Sequence, residues 1–226
     1  MNYEEAIKTQ YGQSDLDKKI LAVLETEGLD TSKLIQEGFA PIEELHLRGN
    51  LATIELAKDA GLNENMKVLD IGCGIGGPAR TIASEFGCYV IGLDLSEEFC
   101  RSAKLINDKI GLSNKIEIRH GNALEMPFNT AEFDVVFMQH VLMNIEDKNS
   151  VFSHINRILR SKGRLALYTI CAGSNSPVYF PVIWANNPDI NFLLSVRELR
   201  QLIRSNGFKE LSWKDDTKKI LEEIEH

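Results

Sequence analysis

The residues with the clearest chemical potential lie between Val68 and Pro78, which read VLDIGCGIGGP. An apolar run is followed by glycines, which let the backbone turn tightly and approach a ligand without a clash at Cβ. Pro78 suits the first turn of a helix, because its missing N–H costs nothing there, and the free N–H groups of such a turn can face a ligand. The pattern therefore predicts a strand, a ligand-binding turn and a helix.

The same region leaves the identity of the ligand open. Gly72, Gly74 and Gly77 fit the spacing GxGxxG, which is used for dinucleotides. Asp94 follows Gly76 by 18 residues, at the end of the next predicted strand, where a carboxylate can accept both hydroxyls of a ribose. Because several cofactors carry that ribose, these residues predict a nucleoside cofactor without choosing among them.

Two histidines are candidates for proton transfer. His46 lies on the segment that enters the predicted pocket, and His140 directly follows the fourth predicted strand. The pKa of histidine lies near neutrality, which suits a general base. A half-buried His140 that is hydrogen-bonded to backbone is an equally weighted alternative. We expect His140 to lie closer to the chemistry than His46, because residues that follow a strand directly lie at the ligand-bearing edge of such a sheet.

An aromatic group follows the fifth predicted strand and consists of Tyr179, Phe180 and Trp184. Aromatic rings can bind a methylated ammonium through cation–π contacts. Packing of a lid by the same rings is an equally weighted alternative.

These residues are positioned by short apolar runs that alternate with amphipathic segments from Lys67 onward, a pattern typical of parallel strands joined by helical crossovers. The predicted strands are Lys67–Ile71, Cys88–Asp94, Lys115–Arg119, Phe133–Met138, Arg164–Ile170 and Phe208–Trp213. Ser195 and Glu198 predict a capping box, and Gly207 predicts the end of that helix. The sequence thus predicts an α/β fold with a doubly wound, mostly parallel sheet.

The chain divides into two parts. Residues 1–60 are predicted to form a helical lid, with Ser14 as an N-cap, and residues 61–226 the cofactor domain. Four apolar residues of the lid share one helical face: Leu16, Ile20, Leu21 and Leu24.

Further motifs resemble the class I methyltransferases that use S-adenosyl-L-methionine (SAM). Asp70 precedes the glycines, Gly121–Ala123 is followed by Met126–Phe128, and Phe133–Phe137 reads FDVVF, in the order and spacing of that family. Three other segments resemble its small-molecule members of the sarcosine/dimethylglycine and phosphoethanolamine type: Leu45–Gly49 with Ala52 and Thr53, Gln139–Asp147, and Trp213–Thr217.

The resemblance implies SAM as cofactor and assigns roles to individual residues. Those implied to contact the methionine part are Arg48, Asp70, Gly72, Cys73, Gly74, Gly76 and Gln139; those implied to contact the nucleoside are Asp94, Leu95, Asn122 and Ala123. Asn122 replaces the usual aspartate beside adenine, and its carbonyl oxygen can still accept the adenine N–H.

The resemblance also implies a small-molecule acceptor, with an amine of the glycine-betaine or choline-precursor type as our first expectation. Asn144, Tyr179 and Trp184 are the candidate acceptor contacts, and related enzymes often have histidine at the position of Asn144. Quinone-type C-methylation is the alternative within the class. Outside it, we weigh a nucleotide-dependent oxidoreductase and a SAM-binding protein without catalysis.

The composition limits the classes of partner that we expect for this chain. The net charge of −8 disfavours nucleic acid, because proteins that bind it concentrate Lys and Arg. The chain has no apolar run long enough for a membrane span and no signal-type start, so we expect a cytoplasmic protein. The four cysteines lack CxxC spacing, and we expect buried thiols and no metal site.

One expected element is missing from the pattern. Class I methyltransferases normally end with a seventh, antiparallel strand, whereas residues 215–226 here predict a helix. Because the unpaired N–H and C=O groups of a strand edge can pair with another strand, we expect either a rearranged sixth strand or pairing with another chain, as in a homo-oligomer.

Overall fold

The computed structural model describes residue 7, residues 9–11, residue 16, residues 48–174 and residues 177–224, with side chains described as far as residue 222. From residue 48 onward the elements are α1 (Gly49–Ala60), β1 (Lys67–Ile71), α2 (Gly77–Phe86), β2 (Tyr89–Asp94), α3 (Glu97–Lys109), β3 (Ile116–His120), β4 (Phe133–Gln139), a 3₁₀ turn (Leu142–Asn144), α4 (Lys148–Ile158), β5 (Leu159–Tyr168), a second 3₁₀ turn (Pro188–Ile190), α5 (Val196–Ser205) and α6 (Thr217–Ile224).

The five strands of this described part form one sheet in the order β3-β2-β1-β4-β5, with every neighbouring pair parallel. The chain moves outward from β1 through β2 to β3 and then returns to place β4 on the other side of β1. The strand order therefore reverses between β1 and β4, which opens a crevice at their carboxyl ends. This confirms the predicted α/β fold with a doubly wound, mostly parallel sheet.

Both faces of the sheet are covered, which explains why β1 reads as a nearly continuous apolar run. Val68 belongs to the core under α1 and α2, and the next residue, Leu69, belongs to the core under α4. Successive side chains of a strand point to opposite faces, so one strand feeds two cores. Packing in both cores fixes the position of the carboxyl end of β1, where the glycine turn begins.

Helix starts follow the expected chemistry. The Ser96 hydroxyl accepts the Phe99 N–H at the start of α3, and the Asp147 carboxylate accepts the Ser150 N–H at the start of α4. The predicted capping box of α5 is present in both directions between Ser195 and Glu198. Gly207, with φ 86°, follows α5 in the left-handed conformation that glycine favours.

Two strand predictions were wrong. β5 begins at Leu159 rather than Arg164, because the polar residues 160–163 extend the strand across a break in register opposite Phe133 and Val135. Phe208–Trp213 is not a strand. Phe208 and Trp213 pack on the core, whereas Leu211 is exposed. The segment is held by Arg200, which pairs with Glu210 and lies 4.3 Å from the Trp213 ring centre. The apolar residues of this segment indicate contact with the core and not pairing with a strand.

Most of the predicted lid lies outside the described residues, including Ser14, Ile20, Leu21 and Leu24. Leu16 is described and packs against the apolar cluster that contains Ile75 and Phe99. The helix predicted after residue 215 is present as α6. None of the helices in the described ranges is long and apolar enough to cross a membrane.

Candidate functional site

The glycine turn after β1 is built from backbone conformations that favour glycine. Gly72, Gly74 and Gly76 have φ values of 70°, 55° and 88°. The N–H of Gly72 donates to the Leu93 carbonyl at 2.7 Å, which ties the turn to the end of β2. A Cβ at Gly72 would overlap the Val141 side chain, whereas a Cβ at Gly74 would meet nothing within 4 Å. Gly72 is therefore required for packing, and Gly74 borders open space.

Asp94 ends β2 and holds the turn in place. Its carboxylate accepts the N–H groups of Gly74 and Ser96, each at 2.8 Å. Burial raises the pKa of Asp94, although these N–H groups oppose the shift. Each oxygen accepts at least one hydrogen bond here, and a carboxylate oxygen can accept two.

Asp70 lies near the end of β1 and is 1% exposed. Its Oδ2 is buried and has no hydrogen-bond partner in the part of the chain that is described. Burial and the nearby Asp94 carboxylate raise the pKa of Asp70 to about 7. A buried carboxyl without a cationic partner is costly to ionise, so this position is suited to a cationic ligand group.

A cavity of about 460 Å³ opens above these residues at the carboxyl edge of the sheet. Most of the residues predicted for the site contribute to its lining. They are Asp70, Gly72, Cys73, Gly74, Asp94, Leu95, Asn122, Ala123, Gln139, His140, Asn144 and Trp184.

Arg48, Gly76 and Tyr179 do not line the cavity, and His46 lies outside the described residues. The Arg48 guanidinium pairs with Glu55 at 2.9 Å and with Asp216 at 3.2 Å, which directs it toward α1 and α6. Gly76 faces the Arg80 guanidinium instead. Tyr179 is 83% exposed. The spacing of these residues in the sequence did not predict that Arg48, Gly76 and Tyr179 face away from the cavity.

Asn122 follows β3 and forms a local turn, in which its Oδ1 accepts the Leu124 N–H at 2.9 Å. The preceding Gly121 donates its N–H to the Asp94 carbonyl at 2.9 Å. The ends of β2 and β3 are thus joined, and Asn122 and Ala123 form one wall of the cavity beside Leu95.

Gln139 ends β4 and is nearly buried. Its amide and the Thr53 hydroxyl are in hydrogen-bond contact, with Nε2 to Oγ1 at 3.2 Å. This contact fixes α1 against the sheet and orients the amide at the edge of the cavity.

His140 follows Gln139 with φ 52°, an unusual conformation for a residue with a side chain. Its N–H donates to the Tyr168 carbonyl at 2.8 Å, and its ring meets the Tyr168 ring edge-on, with 4.7 Å between ring centres. In this conformation His140 forms part of the cavity wall. A strained conformation at a cavity wall is a reasonable indication of function.

The Asn144 side chain joins three segments that are distant in sequence. Its Nδ2 donates to the carbonyls of Trp184 and Ile190, both at 2.9 Å, and its Oδ1 accepts the Tyr11 hydroxyl at 3.0 Å. The Trp184 indole N–H in turn donates to the Asn191 Oδ1 at 2.8 Å. The amide thereby holds the loop after β5 and the residue Tyr11 over the cavity.

Several lining residues were missed by the sequence analysis, among them Ile7, Tyr11, Ser96, Met143, Ile170 and Ile183. Ser96 carried a usable signal, because it lies two residues after Asp94 and caps the next helix. Tyr11 carried none, since its partner Asn144 is 133 residues away. Burial and Asp94 raise the pKa of Tyr11 to about 12, so its hydroxyl stays protonated as a donor.

The described residues contain no group of three or more His, Cys, Asp or Glu side chains that could hold a metal ion. Cys73, Cys88 and Cys100 are buried thiols, and burial raises the pKa of each.

The central part of the chain is similar to one family of known proteins. Residues 69–167 match a family described as a methyltransferase domain. The sterol 24-C-methyltransferase of Gibberella zeae is 37% identical over 113 residues, which are 50% of this chain and 30% of that protein. The chain spans less than two thirds of the length of the curated relatives it matches.

Solved structures agree at the level of the fold. Phosphoethanolamine N-methyltransferase 2 of Haemonchus contortus, in complex with SAM, has a TM-score of 0.76 and 24% identity, covering 100% of this chain and 49% of that one. The [4+2]-cyclase SpnF has a TM-score of 0.67 and 22% identity, covering 76% of this chain and 62% of that one. A fold shared by a transferase and a cyclase does not by itself determine the reaction.

Proposed function

We propose that this chain, in which residues 69–167 match a methyltransferase domain, is a class I methyltransferase that transfers the methyl group of SAM to a small molecule held in the cavity. The observation that carries the proposal is that one cavity is lined both by the glycine turn with Asp94 and by His140 and Trp184.

The residues present fit such a cofactor. Gly74 leaves open space where a side chain would otherwise stand. Asp70 lines the cavity as a buried carboxyl whose Oδ2 has no hydrogen-bond partner among the described residues, which suits a cationic group. We assign the ribose to Asp94, adenine to Leu95 and Asn122, and the methionine part to Asp70, to residues 72–74 and to Gln139. Arg48 and Gly76 are left out, because they face other partners.

SAM supplies a methyl group that is made electrophilic by the sulfonium. The chain's own task is to align an acceptor with that methyl group and to exclude water. The hydrogen bonds of Asn144 help to exclude water, because they hold Trp184 and Tyr11 over the cavity. His140 serves as general base when the acceptor must lose a proton, and His46 remains a second candidate on the entry segment.

We assign the acceptor half of the cavity to the lining residues Met143, Ile170, Ile183 and Trp184, which make it mainly apolar. Among the described lining residues there is no lysine or arginine. The glycine-betaine and choline-precursor amines carry a carboxylate or a phosphate, for which this part of the wall offers no cationic partner. We therefore narrow the proposed amine to one with an apolar body, which Trp184 can contact through its ring.

A second candidate is methylation at carbon of a quinone-type ring. The apolar wall favours it, and His140 offers the base that an acidic carbon or hydroxyl requires.

The first experiment is calorimetric titration of the purified chain with SAM, S-adenosylhomocysteine (SAH) and NAD. We expect micromolar binding of SAM and SAH and no measurable binding of NAD. Binding of NAD without SAM would instead support an oxidoreductase.

The second experiment measures SAH formation with matched pairs of acceptors that differ only in a phosphate or carboxylate group. We expect faster turnover for the uncharged member of each pair, both for amines and for quinone-type rings. Binding of SAM without turnover across the panel would contradict catalysis and would favour a SAM-binding protein of another role.

A further inference from the structure

Lys148 is a buried lysine at the start of a helix. It is the first residue of α4 and is 6% exposed. Among the described residues, no carboxylate forms an ion pair with its ammonium. Burial lowers the pKa of Lys148 to about 8, and the nearby Glu146 only partly opposes the shift. Because the N-terminus of a helix also carries partial positive charge, a cation at this position costs stability.

The Lys148 ammonium is held by two partners that carry no formal charge. Its Nζ donates to the Ile145 carbonyl and lies 5.6 Å from the centre of the Phe192 ring. A carbonyl and an aromatic ring both attract a cation, and a desolvated site strengthens that attraction. The ammonium thereby joins the segment before α4 to the loop after β5.

Both partners belong to segments that build the acceptor half of the cavity. Ile145 follows the first 3₁₀ turn and lines the main cavity, and Phe192 donates its N–H to the Met143 carbonyl at 2.8 Å. Lys148 does not line the main cavity. It lines a separate void of about 10 Å³ together with Met143 and Ile170, two residues that also line the main cavity. Lys148 therefore packs against the acceptor wall from outside the cavity.

We propose that Lys148 is a positioning residue for the acceptor, whose ammonium joins the Ile145 carbonyl to the Phe192 ring and so sets the position of Met143 in the acceptor wall. This inference rests on the proposed function, because it assigns that wall to the acceptor. A buried cation that costs stability is expected where activity depends on the geometry that the cation imposes. The partners of Lys148 lie outside the glycine turn and β2, so cofactor binding should not depend on it.

Lys148→Met is the matched variant, because it keeps an unbranched apolar stem and removes the charge. We expect kcat/KM for the acceptor to fall roughly 10- to 100-fold, since a misplaced wall misaligns the acceptor, while SAM affinity changes by less than about twofold. The melting temperature should be unchanged within about 2 °C or higher, because a buried cation is removed. Lys109→Met, at an exposed residue in the last turn of α3, is the control and should change none of the three quantities.

A purely structural role for Lys148 gives a different result. A lower melting temperature in Lys148→Met, with or without a loss of kcat/KM, would overturn the inference, as would an unchanged kcat/KM. Phe192→Leu completes a double-mutant cycle. If both side chains act through one contact, the double variant should lose at most about twofold more kcat/KM than Lys148→Met alone. Losses that multiply in the double variant would contradict a shared contact.

The free protein provides a readout that needs no acceptor. In Lys148→Met the N–H groups of Asn144 and Phe192 should exchange with solvent at least about fivefold faster, because the two segments are no longer joined, whereas those of Gly72 and Gly121 should be unchanged. Hydrogen exchange measures both pairs, and unchanged exchange at Asn144 and Phe192 would overturn the inference. Failure of the wild-type chain to bind SAM or to methylate any acceptor would instead overturn the proposed function, and the exchange rates would still decide whether Lys148 holds this wall.

Discussion

The proposed cofactor half of the cavity, formed by the glycine turn, Asp94, Leu95 and Asn122, and the proposed acceptor half are built by different means. In the cofactor half, neighbouring strand ends are tied by short backbone bonds, such as the Gly72 N–H to the Leu93 carbonyl and the Gly121 N–H to the Asp94 carbonyl. In the acceptor half, one side chain, Asn144, joins Tyr11, Trp184 and Ile190, which are 133, 40 and 46 residues away from it. The cofactor half is thus part of the sheet, whereas the acceptor half is assembled from distant segments and can change without disturbing the sheet.

The largest expected effect separates chemistry from cofactor binding. In His140→Gln we expect turnover to fall roughly 10² to 10⁴-fold if the acceptor must lose a proton, while SAM affinity remains nearly unchanged. Steady-state kinetics with an acceptor from the panel, together with calorimetry, measures both. Near-normal turnover would show that alignment and desolvation suffice, which favours an acceptor that arrives as a neutral amine.

A pair of glycine variants tests whether the cofactor half is inseparable from the sheet. Gly72→Ala should lower the free energy of unfolding by about 3 kcal/mol, because the new Cβ combines left-handed strain with overlap at Val141. Gly74→Ala should lower the free energy of unfolding by only about 1 kcal/mol, because the new Cβ adds left-handed strain but meets no neighbouring atom. The same Cβ should weaken SAM binding roughly tenfold, because it fills part of the cavity. Chemical denaturation measures the stability of each variant, and calorimetry measures its affinity for SAM. Equal destabilisation by the two variants would contradict the difference in packing.

Asp94→Ala tests the ribose contact. Loss of a charged acceptor for two hydroxyls should cost about 2 to 3 kcal/mol of SAM binding free energy. Calorimetry measures this loss, and Asp189→Ala, a change at an exposed residue that does not line the cavity, serves as control. Unchanged affinity in Asp94→Ala would contradict the assigned site.

The smallest expected effect concerns the aromatic residues after β5. Trp184→Leu should raise KM for the acceptor by about fivefold, because a ring contact worth about 1 kcal/mol is lost, with little change in SAM affinity. Tyr179→Leu should leave KM unchanged, since Tyr179 is 83% exposed and does not line the cavity. Similar increases in KM for both variants would restore the role predicted for Tyr179 from the sequence.

The sequence-based predictions succeeded where structure is local. β1 was predicted to the residue, and β2, β3 and β4 within one residue at each end. The failures lie at the edge of the sheet, in β5 and in residues 208–213, because an apolar pattern there marks contact with the core and carries no information about pairing. The helix cap at Ser195 was predictable, since both of its partners lie within three residues.

The sequence by itself determined the cofactor half. A strand that runs into glycines, with acidic residues at fixed distances, permits few backbone paths, and those paths place Asp70, Asp94 and Asn122 around one space. Only the tertiary structure decided that Arg48 pairs with Glu55 and Asp216, that Tyr11 reaches Asn144, and that Trp184 lines the cavity while Tyr179 does not. The physical reason is range: backbone sterics act between adjacent residues and are written into local spacing, whereas ion pairs and side-chain hydrogen bonds between distant segments form only after the sheet has brought those segments together.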